Sequence, residues 1–380
     1  MSRSRDFADL AGSADAGGLS GRSMLINGAF NVAQRGTSAT VTTGSAPLTV
    51  DRFSTTIANL DQASLTESQD STVPSGQGFA NSFKVVVGGT AETTLDADEQ
   101  VYIRYQGIEG QDAQHLAFGT SSAKKTTLSF WVRSGVTGNY AVLMYTNNGI
   151  GGASSRSQTL TYTVNSADTW EYKTITFDGD GASGNALAND TSAELQLYFS
   201  LAAGSNSTAT DGTSWGAYAQ GKFAYGQTAN LIGTASAAFY ITGVQLEVGE
   251  TATPFEHRSF GEELALCQRY YVRMDYPVVY QRYGTVSCAN ATTAHSIIHL
   301  PTSMRTQPSL ETTGTASNYA IYENNGVNAV TSLPALNTTG STEEVAALQL
   351  ASTDNLAGGN AAEFISNNDV NVFLAFKAEL

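Results

Sequence analysis

From Met24 to about Gly249, apolar and polar residues alternate in short runs. Leu128, Phe130 and Val132 make one such run, Leu160, Tyr162 and Val164 another, and Leu195, Leu197, Phe199 and Leu201 a third. A period of two turns one side of a strand toward a core and the other toward water. Val85–Val87, Tyr140–Tyr145 and Trp170–Phe177 add further strands, separated by turns of Gly, Asn, Asp and Ser. Many short strands without intervening helices predict an antiparallel β-sandwich, a jelly roll, over a parallel βαβ fold. In FYITGVQLEV the alternation changes parity at Gly243, which marks a bulge or a close backbone approach. One short helical segment is predicted at Gln111–Phe118.

The pattern changes in GVQLEVGETATPFEHRSFGEELALCQRYY, residues 243–271. Ser259 and Glu262 stand in the S-x-x-E relation of a capping box, so a helix is predicted over 258–274. Phe260, Leu264, Cys267 and Tyr271 recur at helical spacing on one face. Glu262 and Glu263 in the first turn and Arg269 and Arg273 near the end suit the helix dipole. Such a stripe either docks on its own domain or forms a self-association seam, and the spacing fits both. Beyond it, Val278–Tyr283, His295–Leu300, Tyr319–Tyr322, Val345–Leu350 and Val370–Ala378 read as strands of a second β domain. The predicted layout is thus a leader at 1–23, a jelly roll at 24–257, a neck helix at 258–274 and a distal β domain at 275–380.

Composition narrows the function. Only 14% of residues are charged, so the surface is built from Ser, Thr, Asn, Gln and Gly, as suits extracellular, fibrous and virion proteins. Thirty-four acidic against nineteen basic residues give a net charge of −15. That balance argues against a nucleic-acid partner, which needs a concentrated basic face. No run approaches the length of a membrane span, and no apolar signal region opens the chain, so membrane insertion and secretory export are not expected. On that basis the N-x-S/T sites at Asn189, Asn206, Asn290 and Asn337 carry no glycosylation reading. Cys267 and Cys288 make no disulfide framework and read as free thiols.

A catalytic set is hard to assemble from these residues. The histidines are His115, His257, His295 and His299, and none sits in a metal-binding helix motif. The acidic clusters Asp96, Asp98 and Glu99, Asp178 and Asp180, and Glu343 and Glu344 read as turns, and no repeat suggests a β-helix. No enzymatic activity and no cofactor are expected. DGDGASGN, residues 178–185, resembles an oxygen-rich cation loop, leaving calcium on Asp178 and Asp180 as an alternative to a plain turn. Trp215, Tyr218, Phe223 and Tyr225 crowd the loop-rich stretch 214–227, where rings either stack on sugars or pack as a lid. Tyr276, Tyr280 and Tyr283 offer the same choice in the distal domain.

LINGAFNVAQRGTS, DRF, RYQGIEGQDAQHLAFGTSSAKKTTLSFWVRS, DTWEYKTITFDGD and FYITGVQLEVGETATPFEHRSFGEELALCQRYY follow one another in this order. Together they resemble the tail-fibre or receptor-binding structural proteins of tailed bacteriophages, over roughly residues 24–275. PTSMRTQPSLETTG and the terminal FLAFKAEL resemble the distal domains of such proteins. A looser similarity, through Asn27, Gly28 and Phe30, the strand Ser129–Arg133 and Trp170, is to jelly-roll carbohydrate-binding modules. Those bind sugars on an aromatic face or at loop tips, and many hold a structural calcium. This chain has no strip of tryptophans.

The resemblance implies a homotrimeric virion protein assembled in the host cytoplasm. It would attach to other tail proteins through Arg3, Arg5, Phe7 and Leu10 and recognise a host surface receptor, a polysaccharide, through its distal part. Phe260, Leu264, Cys267 and Tyr271 would then line the trimer axis. A capsule depolymerase, and an adaptor or decoration protein without receptor binding, are the alternatives.

Overall fold

The computed structural model describes residues 21–41, 47–147, 155–275, 278–324, 326–353 and 356–380. The leader residues Arg3, Arg5, Phe7 and Leu10 lie outside that range, as does Tyr276. The chain divides into two compact units between Glu263 and Leu264.

Among the described residues the first unit carries twelve strands. In chain order they are β1 (Ser38–Thr40), β2 (Phe53–Ala58), β3 (Leu65–Asp70), β4 (Ser82–Val87), β5 (Gln100–Glu109) and β6 (Thr126–Ser134). Then come β7 (Gly138–Thr146), β8 (Arg156–Val164), β9 (Glu171–Phe177), β10 (Ala193–Ala203), β11 (Gly216–Ala217) and β12 (Ala238–Val248). They form two six-stranded antiparallel sheets, ordered β1-β3-β4-β12-β6-β9 and β11-β8-β7-β10-β5-β2. This is the β-sandwich that the alternating pattern predicts. Phe130 on β6, Tyr162 on β8 and Phe199 on β10 all point into one shared core, where Phe130 meets the other two rings edge-on at 5.0 and 5.4 Å. The helical turn Gly110–Ala113 and the 3-10 turn Gln114–Leu116 occupy the place of the predicted short helix.

Two backbone features explain motifs in the sequence. At Gly243 φ is +62°, the β12–β6 register shifts between Thr242 and Gln245, and a Cβ would lie 2.5 Å from the Phe79 ring. Only glycine fits there. Asn27 and Phe30 also hold positive φ, at 62° and 55°. The buried Asn27 side chain donates to the carbonyls of Val32 and Asp51 and accepts from the Val32 amide, while Phe30 packs 4.7 Å from Phe53 and 5.7 Å from Phe83. The N-G-x-F opening is therefore a core-forming turn.

The PFEHR segment stitches the two ends of the first unit together. Glu256 accepts from the Gly21 and Ser23 amides, and Arg258 donates to the carbonyls of Leu25 and Ser23. Glu263 accepts from the Asn27 amide at 2.6 Å and pairs with Arg258 at 3.4 Å.

The predicted neck helix is shorter than 258–274. It spans Phe260–Gln268, with Ser259 Oγ capping the Glu262 amide at 3.3 Å. Tyr271–Met274 is a strand, β13, because an aromatic and β-branched run favours extended backbone and finds an antiparallel partner in Leu374–Lys377. The four-residue stripe is consequently not one helical face. Phe260 is 59% exposed, Leu264 is half-buried, Cys267 is buried, and Tyr271 is buried with Phe373 and Ala375. Two of the four residues are consumed within the chain itself.

The second unit continues from β13 with β14 (Arg282–Cys288), β15 (Thr293–His299), β16 (Ser309–Thr312), β17 (Tyr319–Glu323) and β18 (Gly326–Ala329). It ends with β19 (Ala335–Leu336), β20 (Val345–Ala351), β21 (Ala361–Ser366) and β22 (Leu374–Lys377). A three-stranded sheet, β13-β22-β16, and a seven-stranded sheet, β18-β17-β21-β14-β15-β20-β19, share a core that includes Tyr319, Phe364 and Phe376. Val278, Val279 and Tyr280 form an exposed turn ahead of β14 where the sequence predicts a strand, and Tyr283 is buried with its hydroxyl on the Val372 carbonyl. Cys267 and Cys288 are free thiols, both buried. Among the described residues no helix is long and apolar enough to cross a membrane.

Candidate functional site: a tyrosine-bearing sheet face

Residues on β5, β7 and β10 that alternate with the core positions point away from the sandwich. In register, Tyr198 on β10 lies beside Arg104 on β5 and Leu143 on β7, with Ser200 beside Tyr102 and Gln196 beside Tyr145. Three half-buried tyrosines thereby meet on one outer face. Tyr102 and Tyr198 have ring centroids 5.5 Å apart, and Tyr145 and Tyr198 are 6.1 Å apart, both pairs edge-on.

The chain between β10 and β12 folds back over one end of this face. Phe223 is buried at 5.0 Å from Tyr102 and 5.7 Å from Tyr198, and Tyr218 meets Tyr145 edge-on at 5.3 Å. Polar contacts pin the excursion down. Thr159 Oγ1 donates to the Lys222 carbonyl at 2.6 Å, and Gln100 and Gln220 both donate to Ser207 Oγ. The Tyr198 hydroxyl donates to Gln196 Oε1, and the Tyr218 hydroxyl donates to Gln220 Oε1 at 3.2 Å. Burial pushes the phenol of Tyr198 up to about 12 and raises those of Tyr102 and Tyr218, so all three stay neutral donors at ordinary pH. Half-buried rings carrying hydroxyl and amide groups can stack on an apolar sugar face while bonding its hydroxyls.

Of the four residues that the local aromatic density singles out, the structure brings two to this face. Phe223 is buried in the excursion that covers one end of it, and Tyr218 stands at its edge. Trp215 packs edge-on to Phe118 at 5.6 Å and donates from Nε1 to the Asp178 carbonyl, and half-buried Tyr225 enters no ring pair among the described residues. Tyr102, Tyr145, Tyr198 and Arg104 were not singled out in sequence. Their only signal is that each occupies an outward position of an alternating strand.

The DGDG loop is an ion-pair site. Asp180 is buried and takes Arg156 bidentately, with Nη2–Oδ1 at 3.0 Å, and Asp178 accepts from Gln158 at 3.0 Å with Lys125 at 3.7 Å. Arg156 thus takes both carboxylate oxygens of Asp180, while Asp178 stays exposed. A different trio, Asp61, Glu92 and Glu99, brings its carboxylate oxygens within 4.8 Å of one another. Burial, joined by repulsion from Glu92, Asp61 and Asp96, raises the Glu99 carboxyl, while Glu92 accepts from the Gln62 amide at 3.0 Å and Glu99 from the Asp96 amide at 2.7 Å.

The histidines do not converge. His257 packs tilted against Phe79 and edge-on to Phe255, burial lowers the His115 imidazole, and His295 and His299 stand exposed along one side of β15.

No protein-family model matches the chain, and no curated protein matches it. Solved structures are similar at low identity. The enzymatically active domain of bacteriophage CBA120 tailspike protein 4 is 10% identical over 52% of this chain and 19% of its own, with a TM-score of 0.28. The family 11 carbohydrate-binding module of the Clostridium thermocellum cellulase Lic26A-Cel5E is 13% identical over 56% of this chain and 100% of its own, at 0.27. The arabinose-bound α-L-arabinofuranosidase MgGH51 is 12% identical over 65% of this chain and 30% of its own, at 0.33. Likenesses that low carry no functional argument, so the geometry of the tyrosine face has to stand by itself.

Proposed function

We propose that this chain is a non-enzymatic adhesion protein that holds polysaccharide on the tyrosine face of its first unit. The observation that carries this reading is the half-buried ring cluster of Tyr102, Tyr145 and Tyr198 on an outer sheet face, with Tyr218 and Phe223 of the excursion packed against it. In the setting that the phage-like motifs suggest, it is a tail-fibre protein of the virion, homotrimeric, attached through the segment holding Arg3, Arg5, Phe7 and Leu10. Three weak sites on one particle multiply into useful avidity. The trimer seam draws at most on Phe260 and Leu264 from the original stripe, since Cys267 and Tyr271 are buried in the chain.

Affinity electrophoresis of the whole chain through gels holding a panel of soluble neutral and acidic polysaccharides tests the reading. At least one polysaccharide retards the protein, Tyr198→Ala weakens retention about tenfold, as losing one stacked ring should, and no new reducing ends accumulate. Retention by none of them, or equal retention of the variant, removes the tyrosine face as a glycan site. New reducing ends would make the chain a depolymerase instead.

A further inference from the structure

Arg104 is the anomaly on the tyrosine face. It projects from β5 between Tyr198 on β10 and Ser54 on β2, with its guanidinium carbon 5.9 Å from the Tyr198 ring centroid. The residue is half-buried, and its Nε is shut away from water without a hydrogen-bond partner. Among the described residues its guanidinium makes no hydrogen bond and no ion pair. Arg22 and Arg133 also bury an Nε without a partner, but each bonds through its Nη atoms, and other arginines are paired. Arg35 pairs with Asp51 at 2.9 Å, Arg156 takes Asp180 bidentately, and Arg52, fully buried, donates to the Gly107 carbonyl at 2.7 Å.

In a chain with thirty-four carboxylates, a half-buried arginine whose guanidinium meets a tyrosine ring and no carboxylate among the described residues stands out. Withholding partners from a partly desolvated guanidinium destabilises the free protein. An incoming anion reverses that cost, and the planar fork of arginine matches a carboxylate with two parallel hydrogen bonds. A pyranose stacked on Tyr198 carries its exocyclic carbon at the ring's rim, where a carboxylate replaces the hydroxymethyl of a neutral hexose. The net charge of −15 opposes a polyanion through a field that salt screens. Glu194 is four residues along β10 from Tyr198, about 13 Å in a strand and beyond the ~8 Å screening length of physiological salt.

We infer that the tyrosine face selects acidic glycans, with Arg104 binding the carboxylate of a hexuronate stacked against Tyr198. This rests on the glycan-binding reading and adds to it the charge class of the sugar.

The test titrates the full chain with hyaluronan, with the same polymer after carboxyl reduction, with a neutral β-glucan and with dextran sulfate. Wild type binds hyaluronan at least tenfold more tightly than its reduced form. Arg104→Gln loses that preference and binds both polymers equally, and Arg104→Lys recovers it in part. Arg104→Gln loses only the cation–π contact with Tyr198, so its melting temperature falls slightly at most, whereas a structural role would lower it substantially. Wild type that binds the neutral polymers as well as hyaluronan, in a manner sensitive to Tyr198→Ala, overturns the inference and keeps the glycan reading. Dextran sulfate binding as tightly as hyaluronan and equally dependent on Arg104 overturns the carboxylate assignment. If no polymer binds and Tyr198→Ala changes nothing, the glycan reading itself fails, and the inference with it.

Discussion

Each unit has a large antiparallel sheet with an outer face turned from its core, and the two differ: the second unit's is open, while an excursion covers part of the first unit's and buries Leu143 and Ser200 on it. In the second unit a row crosses five strands through Ala361, Ser287, His295, Gln349 and Ala335, next to Ile297 at 60% exposure. Its aromatic residues Tyr283, Tyr319 and Phe364 pack together inside. In the first unit the outward positions hold Tyr102, Tyr145 and Tyr198, and a long excursion returns to seat Phe223 among them. Strand alternation is the same in both, so it distinguishes neither. A recognition surface comes from what the outward half of the alternation carries and from the loop that packs against it.

The largest effect should come from the anchor next to that excursion. Asp180→Ala leaves Arg156 half-buried without its carboxylate and should destabilise the first unit by about 3 kcal/mol, the cost of breaking a buried pair, read as a lower urea midpoint. An unchanged midpoint would mean the loop is held by backbone contacts alone.

A smaller effect is set by pH. Burial pushes Tyr198 and Tyr140 up to about 12, above the ordinary phenol value near 10. Above pH 10 the unfolded chain releases protons that the fold retains, so stability present below pH 10 falls between pH 10 and 12. Tyr319 in the second unit, also raised to about 12, adds its own share from inside the core. Urea midpoints of Tyr198→Phe should fall less steeply over that range than those of wild type, separating the contribution of the outer face.

The smallest effect marks the contrast. Ile297→Thr on the open sheet of the second unit should shift stability by no more than about 0.5 kcal/mol and leave polysaccharide retention unchanged. A loss of retention would move recognition to the distal unit, where the phage-like resemblance puts it.

The core was legible because burial repeats every two residues, so Leu128, Phe130 and Val132 mark β6 without any tertiary information. The end of the helix was not, because Tyr271 fits both a helical stripe and a strand, and its pairing partner Lys377 lies at the other end of the unit. The tyrosine face was hidden for a similar reason. Tyr102, Tyr145 and Tyr198 are far apart in sequence and meet only through the order β7-β10-β5. Local crowding at 214–227 mixed a buried ring, an edge ring and a tryptophan turned elsewhere. The acidic loop reads as a turn, but its counter-ion, Arg156, is not legible there because it sits 24 residues upstream of Asp180.

The stitch made by Glu256, Arg258 and Glu263 bears on mechanics. It ties residues 21–27 directly to the segment that leaves the first unit, and the Met24 and Val244 amides donate to the Leu246 and Gly28 carbonyls beside it. A pull applied between the start of this unit and whatever follows Glu263 is therefore borne by a few hydrogen bonds and an ion pair at one end. The sandwich hangs beside the line of force, so tension along the chain can pass without deforming the tyrosine face.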